Sequence, residues 1–310
     1  MGLLHLEALF NKDLIMSQPF SFQFPDEVSS LVLQQPKFIK ASDGLELAYY
    51  DFVPENPAKI LVFYHGGGVW SNQLYQYMAQ ELKNNHNIGT YLFDIRGHGN
   101  SQGPRGDAPS TDQVWQDVSS AIDFVHALHP NKTIILGGHS SGAGLILNYC
   151  CWKEHPAIAE YLFLAPFLGV RSGTAYEHIE VEKRFVKSVR IVPLIMSILS
   201  RGYLFAHTPV IFLNYPESER QKDSHLLEYY TSAMALATTP NDAQQLLAKL
   251  NKPVSVLIGE CDEQFDPNKV IKLIKQAVLD QNQSVLKIIP QATHLSIVTE
   301  IKSIADCLQK

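Results

Sequence analysis

The chain has 310 residues, 45% apolar and 18% charged, which fits a soluble globular protein with a core sized for one large α/β domain or two ordinary ones. Its net charge of −6 comes without an acidic or basic block, so no nucleic-acid partner is expected. Four cysteines (Cys150, Cys151, Cys261, Cys307) with no Cys-x-x-Cys spacing argue against a disulfide framework and a structural zinc site, and point to reduced thiols in a cytoplasmic protein.

Residues 1–36 read as an N-terminal extension. Its start, MGLLHLEALFNKDLIM, has no early positive charge and is interrupted by Glu7, Lys12 and Asp13, so it makes a poor signal peptide. Leu6 stands where myristoylation would want Ser or Thr. Next, KFIKASDGLELAYYDF (37–52) predicts two strands around an Asp43-Gly44 hairpin turn. Short apolar runs follow at 58–68, 88–99, 133–140, 160–169, 253–262 and 284–294, as strands buried on both faces would give. Helices are predicted between them at about 72–86, 110–128, 141–152, 267–281 and 296–309. The alternation implies a mostly parallel sheet with helices on both faces, with 37–170 and 246–310 as the two parts of one core.

Between Gly169 and Pro253 the rhythm breaks, and a loop of that length needs structure of its own. Residues 171–245 are read as an inserted helical cap; the alternative is extra core strands, with HTPVIFLNYP (207–216) as one. The longest apolar run of the chain, 191–199, lies here and is far too short to span a bilayer.

Gly-x-Ser-x-Gly occurs twice, around Ser101 and around Ser140. An attacking serine needs a sharp turn between a buried strand and a helix, with small residues two before and two after it. Ser140 has that frame: TIILG precedes it, Gly138 and Gly142 flank it, and AGLILNYCCW continues as an apolar helix. Ser101 is followed by QGPRGDAP, where prolines and glycines forbid an immediate helix, so it reads as a loop serine.

A serine hydroxyl needs a base, and the base a third group to orient it, following in chain order Ser, carboxylate, His. Of the histidines after Ser140 (His155, His178, His207, His225 and His294), only His294 follows a strand of the second half. The acid should close the preceding strand, in PVSVLIGECDEQFDP. Asp262 is preferred; Asp266 precedes Pro267 and has the look of a helix N-cap, leaving it as the fallback, with Glu260 third. The oxyanion formed on attack needs backbone N–H donors, expected from Ser141 and from HGGGVW after the strand KILVFY, where Gly67 is preferred over Gly68. His65 reads as a residue that orders this loop.

HGGG, FDIRGHGNSQG, GHSSG, GECD and ATH, in this order, resemble the serine hydrolases of the α/β-hydrolase superfamily, most nearly its monoacylglycerol lipase and lysophospholipase-like group. The resemblance covers roughly residues 37–170 and 250–305. It implies the α/β-hydrolase fold, Ser140 as nucleophile, Asp262 and His294 as its partners, and Gly67 and Ser141 as oxyanion donors. It also implies that DIRGHG is a structural loop. Ser141 departs from the larger residue that group commonly has, and the glycine triplet is similar to that of hormone-sensitive-lipase-like esterases, whose elbow usually carries an aspartate where His139 stands.

The function expected is hydrolysis of a small acyl ester, monoacylglycerol- or lysophospholipid-like, through an acyl-enzyme with no metal or cofactor. Contact with a membrane surface is compatible with that expectation, and a spanning segment is not. The run 191–199 reads equally as a wall for an acyl chain or as packing between cap and core. The same groups would serve a thioesterase, an amidase or a carbon–carbon bond hydrolase. A ligand-binding protein with residual catalysis is the rival from another class.

Overall fold

The computed structural model describes residues 25–176, 184–278 and 284–309; residues 1–24 of the extension, and His178, lie outside them. Eleven strands occur among the described residues: β1 (Lys37–Lys40), β2 (Glu46–Phe52), β3 (Lys59–Tyr64), β4 (Ile88–Phe93), β5 (Ile134–His139), β6 (Ile158–Leu164), β7 (Val186–Val189), β8 (Pro209–Leu213), β9 (Tyr229–Thr231), β10 (Val254–Gly259) and β11 (Val285–Ile289). Eight of them form one sheet, in the order β1-β2-β4-β3-β5-β6-β10-β11. The β1–β2 hairpin pairs Lys40 with Glu46, and Gly44 takes the positive φ of 85° that its turn requires. β2 also runs antiparallel to β4, and the remaining six strands are parallel.

Every residue of β4, β5 and β10 is buried, which explains why apolar residues dominate them without a polar alternation: helices cover both faces, and the polar exceptions Thr90, His139 and Ser255 are buried as well. The helices Gln73–His86 and Ile301–Leu308 pack on each other, whereas Thr111–Leu128, Ser141–Trp152 and Ser232–Thr238 form a separate layer. The predicted last helix divides into a 3₁₀ turn, Ser296–Thr299, and the helix Ile301–Leu308. Because β3, β5, β10 and β11 run parallel, the loops after them, bearing Gly67, Ser140, Asp262 and His294, leave the same edge of the sheet.

The segment between β6 and β10 is not the all-helical insertion that its composition predicts. Besides the helices Ile191–Leu199, Glu217–Lys222, Ser232–Thr238 and Ala243–Ala248, it holds β7, β8 and β9 in a small antiparallel sheet of its own, order β7-β8-β9. HTPVIFLNYP does contain a strand, β8, but it joins this small sheet and not the main one. Strands of four, five and three residues are too short to print a period of two on the sequence, and the intervening helices mask them.

Candidate active site

Ser140 sits between the end of β5 and the helix Ser141–Trp152 with φ 53° and ψ −117°, a conformation L-residues avoid. Its own backbone holds it there. The Ser140 N–H donates to the Leu164 carbonyl (2.9 Å), and its carbonyl accepts from Phe167 N (3.0 Å) and Ala143 N (3.1 Å). The flanking glycines are a steric need. A Cβ on Gly138 would lie 2.5 Å from the Gly142 carbonyl carbon, and one on Gly142 would lie 2.4 Å from the His65 carbonyl oxygen.

The turn lifts the Ser140 hydroxyl to His294, whose Nε2 lies 3.0 Å from Oγ. The other ring nitrogen, Nδ1, lies 2.8 Å from Asp262 Oδ2. That geometry selects the tautomer in which Nδ1–H donates to the carboxylate and Nε2 accepts from the serine. Asp262 is buried, and its second oxygen accepts from Gln264 N (2.9 Å) and Phe265 N (2.8 Å), so the carboxylate cannot turn away. Burial acts to lower the pKa of His294, but the charge and hydrogen bond of Asp262, with the charge of Glu263, outweigh it and raise the value above 6.5.

The competing acids have other tasks. Asp266 caps the helix Pro267–Ala277 through Asn268 N (2.9 Å) and Lys269 N (3.2 Å). Glu260 accepts from Gln291 N (3.2 Å). The competing histidines pair elsewhere: His155 with Asp123, His207 with Asp107 and His225 with Asp223. His178 lies outside the described residues.

Two supports of His294 were not legible in the sequence. Glu263 Oε2 accepts the His294 backbone N–H at 3.0 Å. On the other side, Gly66 N–H donates to Tyr75 Oη (2.9 Å), Tyr75 O–H donates to His139 Nδ1 (2.9 Å), and His139 Nε2–H donates to the His294 carbonyl (2.9 Å). Burial and the neighbouring His294 hold His139 neutral, well below the usual histidine range, which this donor–acceptor chain requires. His139 is the residue before the serine in the elbow; the sequence marked it only as a departure from an aspartate, and the fold brings Tyr75 to it.

The glycine triplet is fixed from two sides. His65 Nε2 accepts from Ile95 N (3.1 Å), which makes it the loop-ordering residue the sequence indicated. Tyr230 Oη accepts from Gly68 N–H (2.6 Å), and Tyr215 O–H donates to the Gly67 carbonyl (2.5 Å), both from the inserted segment. The N–H groups of Gly66 and Gly68 are thereby engaged, while that of Gly67 has no hydrogen bond among the described residues. Ser141 is the first helical residue, so its N–H has no carbonyl four positions back within the helix. Val69, Phe185, Tyr215 and Leu295 line a small cleft at Ser140 and His294.

Ser101 is remote from this chemistry in its bonding. Its hydroxyl donates to the Asp94 carbonyl (2.7 Å) and accepts from Ala48 N (2.8 Å), tying DIRGHG to β2. In the same loop Arg96, buried, grips Asp117 through two nitrogens (2.6 and 2.8 Å), and His98 Nε2 meets Tyr230 Oη at 2.9 Å. Among the described residues no group of three or more His, Cys, Asp or Glu side chains is arranged to hold a metal ion.

A family model described as serine aminopeptidase, S33 (Hydrolase_4) matches residues 55–301. The chain belongs to this family. Protein phosphatase methylesterase 1 of Candida albicans is 32% identical to this Hydrolase_4 chain over 113 residues, 36% of the chain and 30% of that protein. The putative monoglyceride lipase of Schizosaccharomyces pombe is 34% identical over 127 residues, 39% of the chain and 32% of that protein. The match thus spans less than a third of the length of either curated relative. In structure, a soluble variant of monoglyceride lipase from Saccharomyces cerevisiae, solved with a substrate analog, aligns at a TM-score of 0.65 and 18% identity, covering 93% of this chain and 97% of that one. At that identity the likeness is one of fold, and the fold is that of the α/β hydrolases, as expected from the sequence.

Proposed function

We propose that this chain hydrolyses carboxylic esters through an acyl-enzyme, with Ser140 as nucleophile, His294 as base and Asp262 as its orienting acid. The observation that carries the reading is the bridge of His294 between Ser140 Oγ at 3.0 Å and Asp262 Oδ2 at 2.8 Å. Ser140 Oγ attacks the acyl carbonyl as Nε2 of His294 takes its proton. The negative oxygen is stabilised by the N–H groups of Gly67 and Ser141, aided by the positive end of the helix that begins there. The imidazolium then protonates the leaving alcohol. Water, deprotonated by the same nitrogen, attacks the acyl-serine and releases the acid.

The apolar cleft walls Val69, Phe185 and Leu295 suit an acyl group. The names of the relatives support an ester, and those naming a monoglyceride lipase favour a lipid-like one. The family description, serine aminopeptidase, puts a peptide bond second. Four free thiols favour a reducing compartment such as the cytoplasm, and no helix among the described residues is long and apolar enough to cross a membrane.

The test is hydrolysis of p-nitrophenyl esters from acetate to palmitate, beside aminoacyl p-nitroanilides, by wild type and Ser140→Ala. Ester turnover that falls at least about a thousandfold in the variant is the expected result. Turnover confined to the anilides moves the peptidase reading ahead. A folded protein inert on every substrate overturns both.

A further inference from the structure

The helix Ile191–Leu199 is turned the wrong way for a water-soluble surface. The residue it buries is a serine, Ser197, while Ile191, Val192, Ile195, Met196, Ile198 and Leu199 are exposed. The turn that follows continues the pattern with exposed Tyr203, Leu204 and Phe205. Val192, Leu199 and Tyr203 stand 73%, 74% and 92% exposed, so this is a crest and not a partly covered seam. Single exposed apolar side chains are ordinary, but a contiguous row is the mark of a surface meant to be covered. Beneath the crest, Ile191, Ile195 and Ile198 lead into a cleft of about 950 Å³ shared with Trp115, Leu236 and Pro240, so the apolar surface runs inward.

Charge along this stretch of the chain favours cations; of the residues that share the cleft with the crest, Arg171 and Asp112 bear one charge of each sign. From Arg184 to Pro216 the chain has four cations, Arg184, Lys187, Arg190 and Arg201, and no carboxylate, in a protein whose net charge is −6. All four side chains are exposed, and Arg190 is steadied over the Phe212 ring, 4.9 Å from its centre.

We propose that this face docks the protein reversibly on an anionic lipid bilayer. An apolar helix with Arg190 and Arg201 at its two ends settles its crest into the boundary between headgroups and acyl chains while the cations meet anionic headgroups. The excess of cations over acids selects this occupant over a second copy of the chain, whose own crest would bring like charges together. Docking stands apart from the hydrolase reading, since it requires nothing of Ser140.

The test uses the full chain carrying Ser140→Ala, so that lipid is not consumed, floated with vesicles of phosphatidylcholine alone or mixed with phosphatidylserine. Binding to the mixed vesicles, weakened by salt, is expected. Arg190→Gln with Arg201→Gln should lose about 25-fold in partitioning, roughly fivefold per cation. Val192→Glu with Leu199→Glu, at positions exposed enough to leave folding intact by circular dichroism, should abolish binding. Protein that stays in solution with both vesicles overturns the proposal, as does equal binding by the Glu pair. A concentration-dependent dimer that the Glu pair dissolves overturns it in favour of a second copy.

Discussion

The phenol of Tyr215 donates to the carbonyl of Gly67 at 2.5 Å, so a residue of the inserted segment fixes the peptide whose N–H is the proposed oxyanion donor. Gly67 has no side chain to anchor it. A Cβ there would meet Ser141 Oγ at 3.0 Å and the Phe185 ring at 3.1 Å, so a side chain would have to push those neighbours aside, and the hold on the glycine comes from outside. Removing the hydroxyl with Tyr215→Phe frees that peptide to tilt. The expected outcome is a fall in kcat of roughly ten- to a hundredfold with KM for a short ester nearly unchanged, because the loss is felt where the oxyanion develops. Unchanged kcat would show that the tyrosine only packs.

Asp262 and Asp266 lie four residues apart and are separated by what they bind. Asp262→Asn keeps the shape but disfavours the tautomer that leaves Nε2 of His294 free to accept from Ser140. Ester turnover should fall roughly 10³- to 10⁴-fold with the melting temperature little changed. Asp266→Ala should do the reverse, costing about 0.5–2 kcal/mol through its lost helix cap while turnover per folded molecule stays within a few-fold. Steady-state kinetics beside thermal unfolding of both variants separates the two, and an exchange of their effects would reassign the acid.

How far the sequence could be read depended on how local the signal was. The buried strands and the helices between them show in hydrophobic runs, and Gly138, Ser140 and Gly142 announce the elbow within five residues. His294 and Asp262 were reachable because each follows a strand whose end could be located. Tyr75, His139 and Glu263 could not be given their tasks, since these depend on which side chains the fold brings together over distances of up to 155 residues in sequence. Of the small sheet β7-β8-β9, the sequence offered β8 alone, as an alternative strand of the main core; β7 and β9, at four and three residues, carry too little pattern to be told from the helices beside them.

The second Gly-x-Ser-x-Gly offers a control on the first. Ser101→Ala leaves the N–H of Ala48, a fully buried residue, without its acceptor, and breaks the tie between β2 and DIRGHG. A buried donor left unpaired costs about 1–3 kcal/mol. The expected result is a melting temperature lowered by roughly 2–10 °C with turnover per folded molecule within about threefold of wild type. A thousandfold loss at unchanged stability would return Ser101 to the chemistry.

His294 must be neutral to accept the proton of Ser140, so kcat/KM should rise with pH as the imidazolium is lost. Burial works to lower its pKa, yet the charge and hydrogen bond of Asp262 and the charge of Glu263 raise it above 6.5, which centres the acid limb above that value. Glu263 allows the sign to be checked without touching the triad. Glu263→Gln retains an oxygen to accept the His294 backbone N–H, now held at 3.0 Å, and removes only the charge. With one raising influence gone, the acid limb should move to lower pH, while the plateau rate on p-nitrophenyl butyrate stays within a few-fold. Profiles of both proteins recorded from acid to mildly alkaline pH decide the matter. A limb that stays fixed or moves upward would mean that Glu263 does not act on His294 through its charge.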